Sequence, residues 1–462
     1  MAKKYKIDMT HGPLFGKIVK FAIPLMLSNM LTLMFHAADL IVLGQFAPSE
    51  AMAAVGAAPA FTMLMLNLFF GVSAGVNVLV ARYTGAQDKQ SLFHTIHTAM
   101  AVAVGGGLFM VIFGLIITKP VLHWMAVPAE IMDKACLYLW IWCLGIPFMI
   151  IYSFGASILR SIGDTKRPLI FMASAGVLNV LLNLFFVRVC KMDVAGVAIA
   201  TKLSNVLSAV LVLHALATGD EDYRIFWRKI RLNWPIFKEM LRIGLPAGVQ
   251  GMLFSFSNLI IQSTINSFGW HAIAGSTAAL SLEGMVHTSF TAFALAVVSF
   301  VGQNHGARKY KRIIRSIFIC LGCAVSMALI LTVVTHLFKN QLLGFYNPDP
   351  KVIHFGTIRL NYQLTFYFIL AIMEIISGGL RGLGYSFAPT IVTLMGACVF
   401  RVGWVYTVFP LNRCMENLML SYPASWILVS LVNGIMLFVI CRRMLIRASH
   451  RQFDDLTVKQ KK

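Results

Sequence analysis

The chain has 462 residues, 58% of them hydrophobic and only 12% charged, and a net charge of +21. Apolar runs of about 20 residues follow one another along it, the length that crosses ~30 Å of hydrocarbon, which excludes a soluble globular enzyme. The Lys and Arg gather at the ends of those runs, so the charge points to membrane orientation and anionic headgroups, not to nucleic acid.

Twelve apolar runs lie near residues 17–46, 52–81, 92–118, 134–157, 168–187, 194–218, 236–266, 272–302, 313–338, 353–378, 388–410 and 420–446. They predict an all-α polytopic membrane protein. With both termini in the cytoplasm the basic residues fall on inner ends, as the positive-inside rule requires, which predicts a multi-pass protein of the cell's inner (cytoplasmic) membrane. The first twenty residues are polar and basic and lead straight into the first run, so no cleavable signal peptide is expected. Eight cysteines are scattered through apolar surroundings, Cys320 and Cys323 included, and lack the second pair of ligands that a metal site needs.

The decapeptide Leu159 to Pro168 returns as Leu380 to Pro389, shifted by 221 residues. Lys20-Phe21-Ala22-Ile23-Pro24 similarly resembles Arg242-Ile243-Gly244-Leu245-Pro246, and Tyr83-Thr84-Gly85-Ala86 resembles Asn304-His305-Gly306-Ala307. A duplicated unit of six runs inserts twice in the same direction, which predicts two pseudo-symmetric six-helix lobes around a central cavity. The expected division is an N-terminal lobe over 1–218, a charged cytoplasmic linker over 219–235, a C-terminal lobe over 236–446 and a basic tail over 447–462. Pro24 and Pro246 fall inside the first run of each lobe, where a missing amide and a steric clash bend a helix or are tolerated near its edge.

Charges inside apolar runs are costly and mark functional candidates. Asp39, Glu283 and Glu374 are the acids that lie well inside those runs. A carboxylate held away from water favours its neutral form, so one proton decides its charge. Ser28, Thr32, His36 and Asp39 are spaced for one helical face, and Asn179 and Asn183, four apart on the fifth run, reach a similar depth. These residues predict one polar site, formed by Asp39, Asn179, Asn183 and His36, whose charge a single proton would set.

In the second lobe Ser276, Glu283, His287 and Thr291 form a comparable stripe, and Asn258, Gln262 and Asn266 line the seventh run. Glu283, His287, Gln262, Asn258, Met34, Tyr367 and Glu374 are the candidates for cavity or substrate contacts. Met63, Phe254 and Met285 add further soft apolar side chains of the same type. Glu374 shares a face with Gln363 and Tyr367, nearer the cytoplasmic end, which also suits a gate. Arg401 is the conspicuous intramembrane cation, and its estimated depth predicts an ion pair with Glu283.

Ile23-Pro24 followed by Asp39, Val301 to Ala307 after the eighth run, and the paired Leu-Arg-x-x-Gly segments ending in Pro168 and Pro389 together resemble the multidrug and toxic compound extrusion family. The likeness covers nearly the whole chain. It implies secondary transport of cationic or amphipathic compounds against an inward proton or sodium gradient, with Asp39 and Asn179 matching cation-coupling positions. Where many members have a second acid, this chain has Asn183. A lone carboxylate carries one proton but offers sodium few charged ligands, so the proton is the expected coupling ion.

The resulting expectation is a secondary active efflux transporter, not an enzyme, that works by cation-coupled antiport and alternating access. No cofactor or metal is needed beyond the coupling ion, and no phosphate-binding loop is present to use ATP. The expected partners are amphipathic or cationic small molecules and the lipid bilayer, with the protein a monomer and no nucleic acid bound. A flippase for a lipid-linked oligosaccharide or polysaccharide, from the same superfamily, is the alternative; three acids against Arg401 favour cationic cargo over an anionic pyrophosphate.

Overall fold

The computed structural model describes residues 6–47, 54–55, 59–125 and 127–460. Among them there is no strand, and twelve helical stretches are long and apolar enough to cross a membrane. The apolar runs dictate this outcome, because hydrocarbon offers no partner for backbone N–H and C=O groups and a helix pairs them within itself.

In chain order the first six crossings are α1 (Leu14–Phe46), α2 (Pro59–Ala86), α3 (Lys89–Trp124), α4 (Ala129–Ser161), α5 (Lys166–Asn183) and α6 (Asp193–Ala217). A π-helical turn, Leu184–Val189, prolongs α5. The second six begin with α7 (Trp234–Asn266), α8 (Trp270–Gly306) and α9 (Tyr310–Leu337), followed by the short α10 (Lys339–Tyr346). The tenth crossing is broken: α11 (Pro350–Tyr362), a 3₁₀ turn over Leu364–Phe366, then α12 (Tyr367–Gly382). The eleventh joins α13 (Phe387–Thr393) to α14 (Phe400–Thr407) through a π-helical turn, and α15 (Met415–Gln460) is the last element among the described residues. Pro24 and Pro246 both lie inside helices, α1 and α7.

Short polar residues set the helix starts. Asp88 accepts from the Ser91 amide at 3.0 Å before α3, Asp164 accepts from the Lys166 and Arg167 amides at 3.1 Å before α5, and Asp349 accepts from Lys351 at 2.8 Å beside Pro350 at the start of α11.

The internal repeat is visible in the backbone as well as in the sequence. Gly163 and its counterpart Gly384 have φ of 100° and 90°, and each closes the preceding helix with the same two bonds. The Asp164 amide reaches Leu159 and the Gly163 amide Arg160; the Tyr385 amide reaches Leu380 and the Gly384 amide Arg381. This is the Schellman arrangement, which needs a residue free to adopt positive φ. Gln87 and Arg308, also 221 residues apart, carry φ of 56° and 57° at a second matched pair of helix ends.

Packing separates the chain into two compact units, one of residues 1–7, 23–84 and 88–252, the other of residues 8–22, 85–87 and 253–462. In the first, α4 packs against α3 and α6, and α2 meets α7 at glycines: a Cβ on Gly71 would fall on the backbone of Gly248. In the second, α8 is the central helix, touching α9, α11 and α12, while α12 also packs on α15. The segment Asp8–Gly12 belongs to this second unit. Arg312 donates to the carbonyls of Met9, His11 and Gly12 at 2.8–3.0 Å, and Lys309 donates to that of Thr10 at 3.0 Å.

Candidate functional site

In the first unit Asp39 is brought to the fifth crossing. Asn183 Nδ2 donates to Asp39 Oδ1 at 2.5 Å and to Asn179 Oδ1 at 3.2 Å, and Asn179 Nδ2 donates to Thr201 Oγ1 at 3.3 Å. The four-residue spacing on α5 puts both amides on one face, α1 supplies the acid, and α6 supplies Thr201. Asn179 and Asn183 are buried, and the Asn183 Oδ1 atom is buried without a hydrogen-bond partner among the described residues. The cluster therefore combines one carboxylate with a spare buried acceptor next to it, and no basic side chain pairs with that carboxylate among the described residues.

Asn183 is also the last α-helical residue before the π turn, a place where helices often deform at functional sites. Higher on α1, Thr32 Oγ1 donates to the Ser28 carbonyl at 3.0 Å, and Ser28 is buried. His36 sits within α1, but its side chain lies outside the described residues. Thr201 was not singled out from the sequence, where it is one of several polar residues on α6, with Lys202, Ser204, Asn205 and Ser208 close behind it.

The second unit uses its charges differently. Glu283 on α8 is 1% exposed and is gripped by Arg359 of α11, whose Nε and Nη2 donate to its two carboxylate oxygens at 3.0 and 2.9 Å. Arg359 Nη1 also donates to Ser276 Oγ at 2.7 Å, and the Tyr367 hydroxyl donates to Glu283 at 3.2 Å. The expected ion pair between Glu283 and Arg401 is therefore absent. Arg401 instead donates from Nε to Ser425 Oγ at 2.8 Å and lies over the rings of Tyr422 and Trp426, 4.3 and 5.9 Å from their centroids.

The physical reason for the correction is azimuth. Depth along the membrane matched Arg401 to Glu283, but α8 turns Glu283 toward α11, while Arg401 on α14 faces α15. Glu283 is thus buried and fully paired against the tenth crossing. The expected excess of three acids over Arg401 also fails as a guide to cargo charge, because Arg359 neutralises one of them.

One helical turn from Glu283, the same stripe makes a second contact with the tenth crossing. His287 Nε2 lies 2.7 Å from Glu374 Oε1, and Thr291 Oγ1 donates to Glu374 Oε2 at 3.1 Å. The 3₁₀ turn at Leu364–Phe366 divides the crossing, so Tyr367 serves Glu283 although it shares a sequence face with Glu374. On α7, Gln262 donates to Asn266 at 3.0 Å, while Asn258 is exposed. Met34, Met63 and Met285 are exposed apolar side chains. No group of three or more His, Cys, Asp or Glu able to hold a metal occurs among the described residues.

Comparison with known proteins agrees with this architecture. "Probable multidrug resistance protein YpnP" of Bacillus subtilis is 26% identical over 399 residues, spanning 85% of this chain and 88% of its own. "Probable multidrug resistance protein NorM" of Thermotoga maritima is 24% identical over 84% of each chain. A crystal structure of MATE in the bent conformation shares the fold, with a TM-score of 0.88, 21% identity and coverage of 94% of this chain and 96% of that one. The MatE family model matches twice, at residues 24–185 and 246–407, one copy per repeat. The chain belongs to the MatE, or multidrug and toxic compound extrusion, family of transporters.

Proposed function

We propose that the protein exports amphipathic or cationic compounds by exchanging them for protons, with Asp39 as the group that carries the coupling ion. The observation that carries this reading is the Asp39 cluster, a carboxylate bound to the Asn183 amide and close to a spare carbonyl oxygen. An acid in that setting changes charge by taking up a single proton, and differential proton binding between two conformations gives exchange its direction. A proton moving down 100 mV releases ~2.3 kcal/mol, enough for roughly 50-fold accumulation before any concentration gradient is added. Drugs as the cargo follow from relatives named for multidrug resistance, and their amphipathic or cationic character is what the family resemblance implies. The cycle is alternating access, in a monomer of the inner membrane with both termini in the cytoplasm.

Sodium is disfavoured because Asn183 stands where a second acid would help to offset the cost of stripping the ion's water. A carrier of lipid-linked pyrophosphate needs several basic side chains free for phosphate, whereas Arg359 is engaged by Glu283 and Ser276, and Arg401, though no carboxylate pairs with it among the described residues, is turned onto Ser425 and the rings of Tyr422 and Trp426.

The test is dye export from proteoliposomes under separately imposed proton and sodium gradients. A proton gradient alone should drive export, and Asp39→Asn should abolish it while the protein remains folded in the membrane. Full activity of that variant, or export driven only by sodium, would overturn the assignment.

A further inference from the structure

The segment between α6 and α7 is not a slack tether, because side chains and backbone pin it at five points. The Ile225 amide donates to the Leu216 carbonyl, the Phe226 amide to His97 Nε2 and the Asn233 amide to Thr98 Oγ1, each at 3.1 Å. Arg167 reaches the Tyr223 hydroxyl at 3.3 Å, and Lys89 pairs with Asp222 at 2.7 Å. Tyr223 and Ile225 are buried by these contacts. The opposite side of the segment is consequently fixed in direction.

That side is unusual in composition. Phe226, Trp227, Leu232 and Trp234 are between 40 and 57% exposed, in a stretch where the charges are Arg224, Arg228, Lys229, Arg231 and Lys238, all exposed. No acid interrupts residues 224–238. Cations and rings are interleaved: Lys229 lies 5.3 Å from the Phe226 centroid and Lys238 lies 5.7 Å from that of Trp234. Bulky aromatics left in water cost free energy, and five neighbouring cations repel one another, so the strip is built for something apolar and negatively charged.

Its level in the molecule identifies that something. α3 has 36 residues and so is ~54 Å long, against ~30 Å of hydrocarbon, and the linker touches it at Phe93, His97 and Thr98, within ten residues of its start. Trp234 opens α7. The strip thus runs where helices leave the hydrocarbon, the zone in which Trp rings settle among headgroups and basic side chains meet lipid phosphate.

We infer that residues 226–238 form a headgroup platform that docks the first unit on anionic phospholipid, Arg228 and Arg231 engaging phosphates while Trp227 and Trp234 enter the boundary below them. The platform is independent of the transported compound and of the coupling ion.

The test uses the full-length protein in micelles containing equal phosphatidylglycerol and phosphatidylcholine, with the retained lipids counted by native mass spectrometry. The wild type should retain phosphatidylglycerol preferentially, and salt should erode the preference. R228Q/R231Q should lower it by on the order of fivefold per arginine at low salt, with unchanged thermal unfolding. R228K/R231K should keep most of it, and W227A/W234A should reduce retention of both lipids while leaving the preference intact. An unaltered preference in R228Q/R231Q overturns the platform, as does displacement of the lipid by inorganic phosphate at the same phosphoryl concentration, which would make the strip a simple anion site.

Discussion

Arg359 and Glu283 form a two-pronged ion pair between α11 and α8, completed by Ser276 and Tyr367, inside a membrane-spanning unit. Removing one partner of a buried pair leaves the other charge stranded, which typically costs ~3–5 kcal/mol, whereas an apolar replacement of both is nearly neutral. Glu283→Ala and Arg359→Ala should each lower the unfolding midpoint in detergent strongly, and Glu283→Leu with Arg359→Met should recover most of the loss. If the singles were harmless, the pair would carry no structural weight.

Arg401 belongs to a different neighbourhood, and a mutant cycle can read that directly. The two are linked only at second hand, because Tyr367, which donates to Glu283, packs on Trp426 beneath Arg401 with ring centroids 5.6 Å apart. The coupling energy between Glu283→Ala and Arg401→Ala should therefore fall well short of the ~3 kcal/mol that a direct network reaches. Arg401→Lys, which loses the planar guanidinium over Tyr422, should cost about 1–2 kcal/mol in thermal stability.

Asn183→Asp would place a second carboxylate against Asp39, supplying the charge that a sodium ion needs. We expect a sodium gradient, inert in the wild type, to drive at least tenfold more dye export in this variant. Asn183→Ala instead removes the donor to Asp39 and should slow proton-driven export without conferring a response to sodium. Flux under separately imposed gradients measures both.

Gly71 faces the Gly248 backbone with no space for another carbon. Small residues are what let membrane helices approach this closely. Gly71→Val should therefore destabilise the first unit by several kcal/mol, seen as a collapse in the yield of monodisperse protein, while substitution of Gly105, which has no neighbour within 4 Å, should be tolerated.

Asp8 lies outside the membrane-spanning helices and supplies a pH dependence. Burial pushes its carboxyl upward, but hydrogen bonds from Thr10 and the nearby His11 outweigh that and hold it at about 2, below its ordinary 3.8. A depressed value means that the turn is stabilised above pH ~4 and loses that contribution as pH falls through about 2. Hydrogen exchange at the Thr10 and His11 amides should then be independent of this group between pH 5 and 8, and Asp8→Asn should raise it throughout that range.

The twelve crossings and the duplication were legible because hydropathy and the 221-residue offset are one-dimensional signals, and hydrogen-bonded helices follow from them directly. The Asp39, Asn179 and Asn183 cluster was legible too, since spacing on one helix and matched depth sufficed. What depth cannot supply is rotation about the helix axis. That is why Glu283 was assigned to Arg401, and why Arg359, inside the apolar run 353–378, was not singled out as its partner. Tyr367 was misled by the 3₁₀ turn, which shifts the face of everything after it and leaves no signature in a run of apolar residues.

The π turn after Asn183 carries a consequence for any scan of the fifth crossing. Its i to i+5 bonding makes six residues, Leu184–Val189, repeat more slowly than those before them. Accessibility to a thiol reagent, stepped residue by residue in a cysteine scan, should follow a normal helical wave as far as Asn183 and then suffer a phase slip. The slip sets the orientation of the acid's amide partner apart from the lipid-facing pattern beyond it, so that one end of the crossing can be retuned without rotating the other.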